Sequence, residues 1–337
     1  MLSGRRMSKK ATIIIPVYNG EQFLARSVRD IFRQTYEDIE LITIDDGSAD
    51  GSLKLLNKLA ASAPAHNISM RVFTQPNAGI CATRNRGLDL ATGDYILFMD
   101  QDDRMKKDCV ESLVTTLEQE KADMVIGGHL LVDEKDGRIL EKWQYDTGTP
   151  WHKYRNSAPW GRVYRREIIE QNKLRFMQTR ISEDFYFNVV YMSCCAKVHV
   201  TPYIGYGWTY RASSESHHNM SRYALERNPL PMLSQTLQDM KRPNSLEPDL
   251  LEYMFIKHIV WYLLFTAKGT PRSILRDMHD SCFAWLEENF PDYEKNPQLI
   301  RMGPHGETLK VRGIVRTAVT LHSAGLFLPF LKAYSKL

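Results

Sequence analysis

Several things are missing from this 337-residue chain, and each absence removes a class of protein. The five cysteines, Cys81, Cys109, Cys194, Cys195 and Cys282, form no Cys-x-x-Cys pair, so neither a zinc ribbon nor a disulfide framework is indicated. No Gly-Lys-Ser/Thr triplet follows a strand-like segment, which argues against a P-loop nucleotidase. Where a dinucleotide-binding loop would need Gly-x-Gly-x-x-Gly, the chain reads Val17-Tyr18-Asn19-Gly20-Glu21-Gln22. Apolar runs are short: Ile259 to Ala267 is well below the roughly 18–20 residues of a membrane span, and Ala11 to Val17 is too brief for a signal-peptide core. The net charge of +4 is too small to point to nucleic acid, and no nucleic-acid partner is expected. Together these features place the chain in a reducing compartment, with the cytoplasm as the expected location.

What is present is an ordinary globular composition, 43% apolar and 25% charged, with a regular alternation of elements in the first third. Thr12-Ile13-Ile14-Ile15-Pro16-Val17 reads as a buried strand, and Phe23, Leu24, Val28, Ile31 and Phe32 recur at helical spacing. Leu41 to Ile44 is a second strand and Leu53 to Leu59 a second helix. Ile68 to Phe73, Ala82 to Leu90 and Tyr95 to Met99 continue the strand, helix, strand order. Such alternation predicts βαβ units and a mainly parallel sheet. Beyond the carboxyl ends of such strands loops and helix N-termini converge on a ligand. Three polar clusters stand at those ends: Tyr18-Asn19, Asp45-Asp46 and Asp100-Gln101-Asp102-Asp103.

Three carboxylates within four residues repel one another unless a positive group sits among them. An extended Asp100–Asp102 segment would point both acids to one side, with Asp103 folding back once the chain turns. The group suits a hard cation that also holds diphosphate oxygens; a solvated acidic turn is the plainer alternative. A calcium EF-hand loop fails, because Arg104 and Met105 stand where an oxygen ligand and a glycine are needed.

The segments in order are Ile14 to Asn19, Gln34-Thr35-Tyr36, Ile44 to Asp50, Asn77 to Ile80, Ala82 to Gly87, Gly93 to Ile96, Met99 to Asp103, Trp160 to Arg166 and Ser182 to Phe187. Taken together they resemble the family 2 inverting glycosyltransferases over about Lys10 to Ser214. The resemblance implies an α/β fold of the GT-A type: a Rossmann-like, mainly parallel central sheet flanked by helices, with a mostly helical C-terminal extension. It divides the chain into a basic tail at 1–9, a nucleotide-sugar-binding catalytic domain at 10–215 and a helical extension at 216–337.

By that resemblance, Pro16 and Tyr18 line the nucleotide pocket, with Tyr18 stacking near the base. Asp46 accepts the N3 proton of uracil, and Asp45 holds the ribose side or the turn that follows; an Asx-turn before Gly47 is compatible with both. Arg84 contacts the donor or, alternatively, pairs with Asp46 or Asp102, while Arg86 points elsewhere. Asp100 and Asp102 contribute to donor binding, and Asp102 or Asp103 ligates the metal, expected to be Mn2+ or Mg2+. Arg211 closes over the diphosphate, and Trp160 and Gly161 border the sugar or acceptor, Trp160 having plain core packing as its alternative. His217 or His218 completes the metal shell or is simply a surface histidine.

Ser182 reads as an N-cap with Glu183 and Asp184 in the first helical turn. The resemblance makes Asp184 the general base for the acceptor hydroxyl, with Glu183 as the alternative base or else a support of the acceptor or the neighbouring loop. The implied activity is metal-dependent, inverting transfer of a hexosyl or N-acetylhexosaminyl unit from a nucleoside diphosphate sugar, a UDP-sugar first, to a hydroxyl of a glycan or lipid-linked acceptor. The rival is a nucleotide-sugar- or glycan-binding protein of the same fold that does no transfer. From Lys310 onward there are five Lys or Arg and no acid. Val311, Ile314, Val315, Ala318 and Val319 share one helical face there, which either docks on the protein or meets the inner face of an anionic membrane.

Overall fold

The apolar runs of the N-terminal third become strands because their side chains are covered on both faces, and polar residues break them where the chain must turn. The computed structural model describes residues 9–211, 227–241 and 246–336. In chain order it gives β1 (Ala11–Val17), α1 (Glu21–Phe32), β2 (Ile39–Asp45), α2 (Ser52–Ser62), β3 (Ile68–Thr74), α3 (Ile80–Leu90), β4 (Tyr95–Phe98) and β5 (Arg104–Met105). Then come α4 (Cys109–Gln119), β6 (Met124–Asp133), β7 (Ile139–Trp143), α5 (His152–Arg155), β8 (Arg162–Arg165), α6 (Arg166–Gln171), α7 (Glu183–Cys194) and β9 (Val198–Tyr210). The rest is helical: α8 (Leu230–Asp239), α9 (Pro248–Ala267), α10 (Arg272–Asn289), α11 (Pro297–Ile300), α12 (Leu309–Ser323) and α13 (Phe327–Tyr334).

The chain divides into two compact units. The first holds the chain up to Thr147 with Ala158–Gln178 and Phe187–Tyr210; the second holds Gly148–Ser157, Thr179–Tyr186 and the chain from Arg211. In the first unit the sheet order is β3-β2-β1-β4-β8-β6-β9-β5, with β7 paired to β6. The block β3-β2-β1-β4 is parallel, as the alternation predicts. Past β4 the sheet turns mixed: β8 runs antiparallel to both β4 and β6, and β9 runs parallel to β6.

Every residue of β1 and β2 is buried. Each fully covered Val, Leu or Ile there contributes about 1.5–3 kcal/mol relative to exposure. Pro16 is tolerated on an inner strand because β4 pairs only with Ala11–Ile14, so no ladder on that side needs its missing N–H. Helix α3 lies close on β1: a Cβ on Gly87 would come within 2.4 Å of Ile14 Cγ2. Glu40, buried on β2, is kept ionised by Arg71 (2.9 Å), Thr12 Oγ1 (2.7 Å) and Thr92 N (2.9 Å).

In the second unit α9 is the central element. Leu250, Leu251, Phe255, Ile256, Ile259, Val260 and Leu263 are all buried on it. The apolar run that reads as Ile259–Ala267 in the sequence is the end of a 20-residue helix. Among the described residues, α9 is the one helix long and apolar enough by itself to cross a bilayer, and 67% of its apolar window is buried within the protein. In the C-terminal segment Val315, Ala318 and Val319 of α12 and Phe327 and Leu331 of α13 are buried, and α13 packs on α9 and α10. That face is docked, while Leu309, Leu326 and Phe330 remain exposed.

Candidate active site

Because β2 and β3 lie to one side of β1 and β4 returns on the other, the strand order reverses between β1 and β4. A crevice at the carboxyl ends is the geometric consequence. All three polar clusters flank it. The loop after β1 is tied to the loop after β2: Asn19, in the left-handed region at φ 47°, takes Ser48 Oγ on its N–H at 2.9 Å and offers Oδ1 to Ala49 N at 2.8 Å. Gln101 reaches across from the acidic turn and clamps the main chain of Tyr18 with two 3.0 Å bonds. It passes where a side chain on Gly20 would stand, since a Cβ there would lie 2.2 Å from Gln101 Oε1. Tyr18 itself is 51% exposed, so its ring face is available to a flat partner.

Asp46 is buried and accepts from Ala78 N (2.9 Å), Gly79 N (2.8 Å) and Gln75 Nε2 (2.7 Å). It therefore caps the approach to α3, and three of about four acceptor positions of its carboxylate are used within the protein. Asp45 Oδ2 accepts from Ser48 N at 3.3 Å, the turn-holding role allowed by the sequence, and from Thr74 Oγ1 at 3.4 Å. Its other oxygen is buried with no hydrogen-bond partner among the described residues.

The acidic segment is a turn, not an extended strand end: Asp103 N donates to Asp100 O at 3.2 Å. The turn separates the three acids. Asp103 faces inward, 1% exposed, accepting from Tyr206 Oη (2.6 Å) and Thr209 N (2.8 Å). Burial, with Asp100 and Asp102 adding to it, pushes its carboxyl well above the usual carboxylate range. Asp100 Oδ1 meets Arg84 Nη2 at 3.1 Å. Asp102 is partly exposed, and its main-chain oxygen is fixed by Arg26 Nη2 and Thr209 Oγ1, both at 2.8 Å.

Arg84 is 2% exposed, and its guanidinium lies over the Phe176 ring at 5.2 Å. It pairs with Asp100, while Asp46 is occupied by two main-chain donors and Gln75. Arg86 holds Thr74 O (2.7 Å) and Gln75 Oε1 (3.1 Å), away from the acidic turn. Pro16 is buried in β1. Trp160 is buried as well, stacked on Tyr206 with centroids 4.7 Å apart and planes at 4°. It backs the tyrosine that holds Asp103. Gly161 needs its lack of a side chain for conformation, at φ 66°.

In the second unit, Glu183 and Asp184 stand in the first turn of α7, both partly exposed. Ser182 enters this helix at φ 60°, outside the extended geometry of an ordinary N-cap. Its carbonyl accepts from Tyr186 N at 3.2 Å, and its hydroxyl meets His258 Nε2 at 3.1 Å. Burial and the neighbouring Lys257 lower the His258 pKa to about 4, so the ring is neutral at physiological pH. Glu183 lines a cavity of about 550 Å³. Arg211, partly buried, ends the described stretch after β9. His217 and His218, and most of the boundary near 215, lie outside the described residues.

Among the described residues no three His, Cys, Asp or Glu side chains stand ready to hold a metal. The donor set of the acidic turn still fits a cation that arrives with a diphosphate. Hard cations such as Mg2+ commonly take one or two protein carboxylates and complete their shell with phosphate oxygens and water. Both oxygens of Asp103 already accept hydrogen bonds, from Tyr206 Oη and Thr209 N.

Gln75, Gln101, Tyr206 and Thr209 escaped sequence reasoning. Gln101 was readable as the one neutral residue within the acidic run, whereas Tyr206 and Thr209 gave no local signal.

A parallel block with an acidic turn at its switch point agrees with the α/β fold of the GT-A type that the resemblance implies. Residues 12–186 match the model described as Glycosyl transferase family 2, more than half of the chain, and the protein belongs to that family. Glycosyltransferase GlyA of Streptococcus pneumoniae is 32% identical over 196 residues, 53% of this chain and 27% of that protein. GlyG of the same organism is 36% identical over 134 residues, covering 40% and 43%. This chain thus spans less than half the length of either relative. Among solved structures, Staphylococcus aureus TarS 1–349 in complex with UDP-GlcNAc aligns with a TM-score of 0.57 at 15% identity, covering 97% of this chain and 90% of that one. The mannosyltransferase PcManGT of Pyrobaculum calidifontis, in complex with GDP-Man and Mn2+, aligns with 0.55 at 14% identity, covering 97% and 86%. At such identities the likeness concerns the fold.

Proposed function

We propose that this protein is an inverting, metal-dependent glycosyltransferase that moves a hexosyl or N-acetylhexosaminyl unit from a nucleoside diphosphate sugar to a hydroxyl of a glycan or lipid-linked acceptor. The observation that carries the reading is the gathering of Tyr18, Asp45, Asp46, Arg84 and the Asp100–Asp103 turn at one switch point. Tyr18 offers its exposed face to the base. Asp46 keeps one acceptor position for a base N–H, and the partnerless oxygen of Asp45 suits a ribose hydroxyl. Arg84 and Arg211 supply positive charge toward the diphosphate. Fixed charges and dipoles of this kind stabilise the departing diphosphate without having to reorganise.

Asp102 would hold the cation, Mn2+ or Mg2+, with Asp103 as the buried support of the turn. Bound there, the cation neutralises charge developing on the diphosphate. Asp184 takes the proton from the acceptor hydroxyl as that oxygen attacks the anomeric carbon from the side opposite the leaving group. The anomeric configuration therefore inverts, and no covalent enzyme intermediate is needed.

The test is Asp184→Asn: donor affinity should stay within about twofold of wild type, while transfer falls by about 10²–10⁴. Transfer at the wild-type rate would remove Asp184 from the base role. Hydrolysis or transfer of UDP-GlcNAc or GDP-mannose by the wild-type chain separates an enzyme from a binding protein. GlcNAc and mannose enter here because TarS and PcManGT are described in complex with those donors. The same reading puts the protein at the cytoplasmic face of a membrane when its acceptor is lipid-linked, with the exposed Leu309, Leu326 and Phe330 as the contact.

A further inference from the structure

The cavity beside α7 lies wholly within the second unit, and its lining is lopsided in charge. Arg155, Arg180, Arg227 and Lys257 face it, with Glu183 the single carboxylate among the described lining residues. Behind this lining, Glu307 lies 2.6 Å from Lys257 Nζ and 3.9 Å from Arg155 Nε. Among the described residues that line or back this cavity, the cations outnumber the carboxylates Glu183 and Glu307. Burial pulls the Lys257 ammonium below its ordinary range while Glu307 pulls the other way, so a further anion nearby would stabilise the charged form. His258 contributes no charge, being neutral at physiological pH.

The other wall is aromatic. Trp261 and Phe265, one turn apart on α9, stack with centroids 5.2 Å apart, and Phe265 is 46% exposed. Such a platform suits the C–H face of a sugar ring or a polyol chain. The described lining contains no Asn or Gln, the amides that usually read neutral hydroxyl patterns. Guanidinium groups match phosphate oxygens far better than sugar hydroxyls.

We propose that this cavity is the acceptor subsite and that the acceptor is anionic: a phosphate-bearing sugar or polyol whose phosphate sits among Arg155, Arg180, Arg227 and Lys257. Its sugar or polyol part rests on Trp261 and Phe265, with the accepting hydroxyl toward the first turn of α7. This deepens the transfer reading and rests on it. The phosphate belongs either to a water-soluble chain or to a lipid headgroup.

The experiment uses the full chain without nucleotide sugar, so that it reads acceptor binding alone. It is titrated with sn-glycerol 3-phosphate and with glycerol, and sedimented with phosphatidylglycerol or phosphatidylcholine vesicles. Binding of glycerol phosphate but not glycerol, weakened about tenfold or more in Arg180→Gln and Arg227→Gln and largely kept in Arg180→Lys, supports the proposal with a soluble source. Sedimentation with phosphatidylglycerol alone, lost in the same two Gln variants, supports it with a lipid source. Arg138→Gln, on the exposed β6–β7 hairpin, serves as the charge-loss control and should change neither. Absence of binding in both arms, or binding indifferent to the Gln substitutions, overturns the proposal. A parallel UDP titration keeps the two claims apart, because failure there sinks the donor reading and leaves this measurement intact.

Discussion

Tyr206 carries more of the site than its place in the chain announces. Its hydroxyl donates to Asp103 and accepts from Asp100 N (3.1 Å), so one group positions two members of the acidic turn. Burial and Asp103 push its own ionisation well above the ordinary phenol range, so it stays a donor. Tyr206→Phe leaves a buried carboxylate oxygen without that donor, and the expected cost is about 1–3 kcal/mol in a urea unfolding curve. A loss below about 0.5 kcal/mol would mean that the hydroxyl does not support the turn. The acids themselves were legible, because polar residues at the end of an apolar strand mark a site. Their division of labour was not: whether Asp102 or Asp103 turns inward depends on a partner 103 residues later in the chain.

His258 is the second residue whose role was hidden. It interrupts the apolar run of α9 beside Lys257, and that interruption was the only sequence signal. Its pKa is lowered from 6.5 to about 4, so the fold favours the neutral ring. The folded state then binds fewer protons than the unfolded one between those values. The stabilisation is complete above pH 6.5 and is lost as pH falls toward 4. Melting temperatures recorded from pH 7.5 to 4.5 should decline less steeply in His258→Gln than in wild type. Parallel curves would show that His258 does not titrate in this window.

Among the elements, helix α3 shows how packing sets the position of chemistry. Asp46 receives the N–H groups that precede it, Gly87 lets it approach β1, and Arg84 projects from it to Asp100. Gly87→Ala places a methyl against Ile14, so the helix must shift. The expectation is a loss of about 1–3 kcal/mol in stability together with weaker nucleotide binding. Unchanged stability would mean that the α3–β1 contact has slack. The β1–β4 block and its helices were legible because apolar periodicity is local. Strand β9 was not: no expected strand covered Val198–Tyr210, which forms a 13-residue strand. Its pairing with β6 joins residues about 75 positions apart, between Met124↔Val198 and Asp133↔Tyr210, and no short window contains that information.

At the scale of the whole molecule, the chain forms two compact units. The first gathers the groups suited to a nucleotide, and the second carries Glu183, Asp184 and the basic cavity. Sequence periodicity separated a sheet half from a helical half. It did not reveal that Gly148–Ser157 and Thr179–Tyr186 belong with the helical one, because unit membership depends on packing with α9 and its neighbours rather than on order in the chain. Helix α9 makes the same point: its apolar length is spent mostly on a core.

The central claim is that the carboxyl ends of β1, β2 and β4 hold a nucleoside diphosphate together with a divalent cation. Its most direct test is calorimetric titration of UDP, and of GDP in parallel, into the full chain with and without Mn2+. The account predicts that one of the two nucleotides binds and that Mn2+ tightens binding at least about tenfold. Asp102→Asn should abolish that gain. Failure of both nucleotides to bind, or a Mn2+ effect that persists in Asp102→Asn, would contradict it.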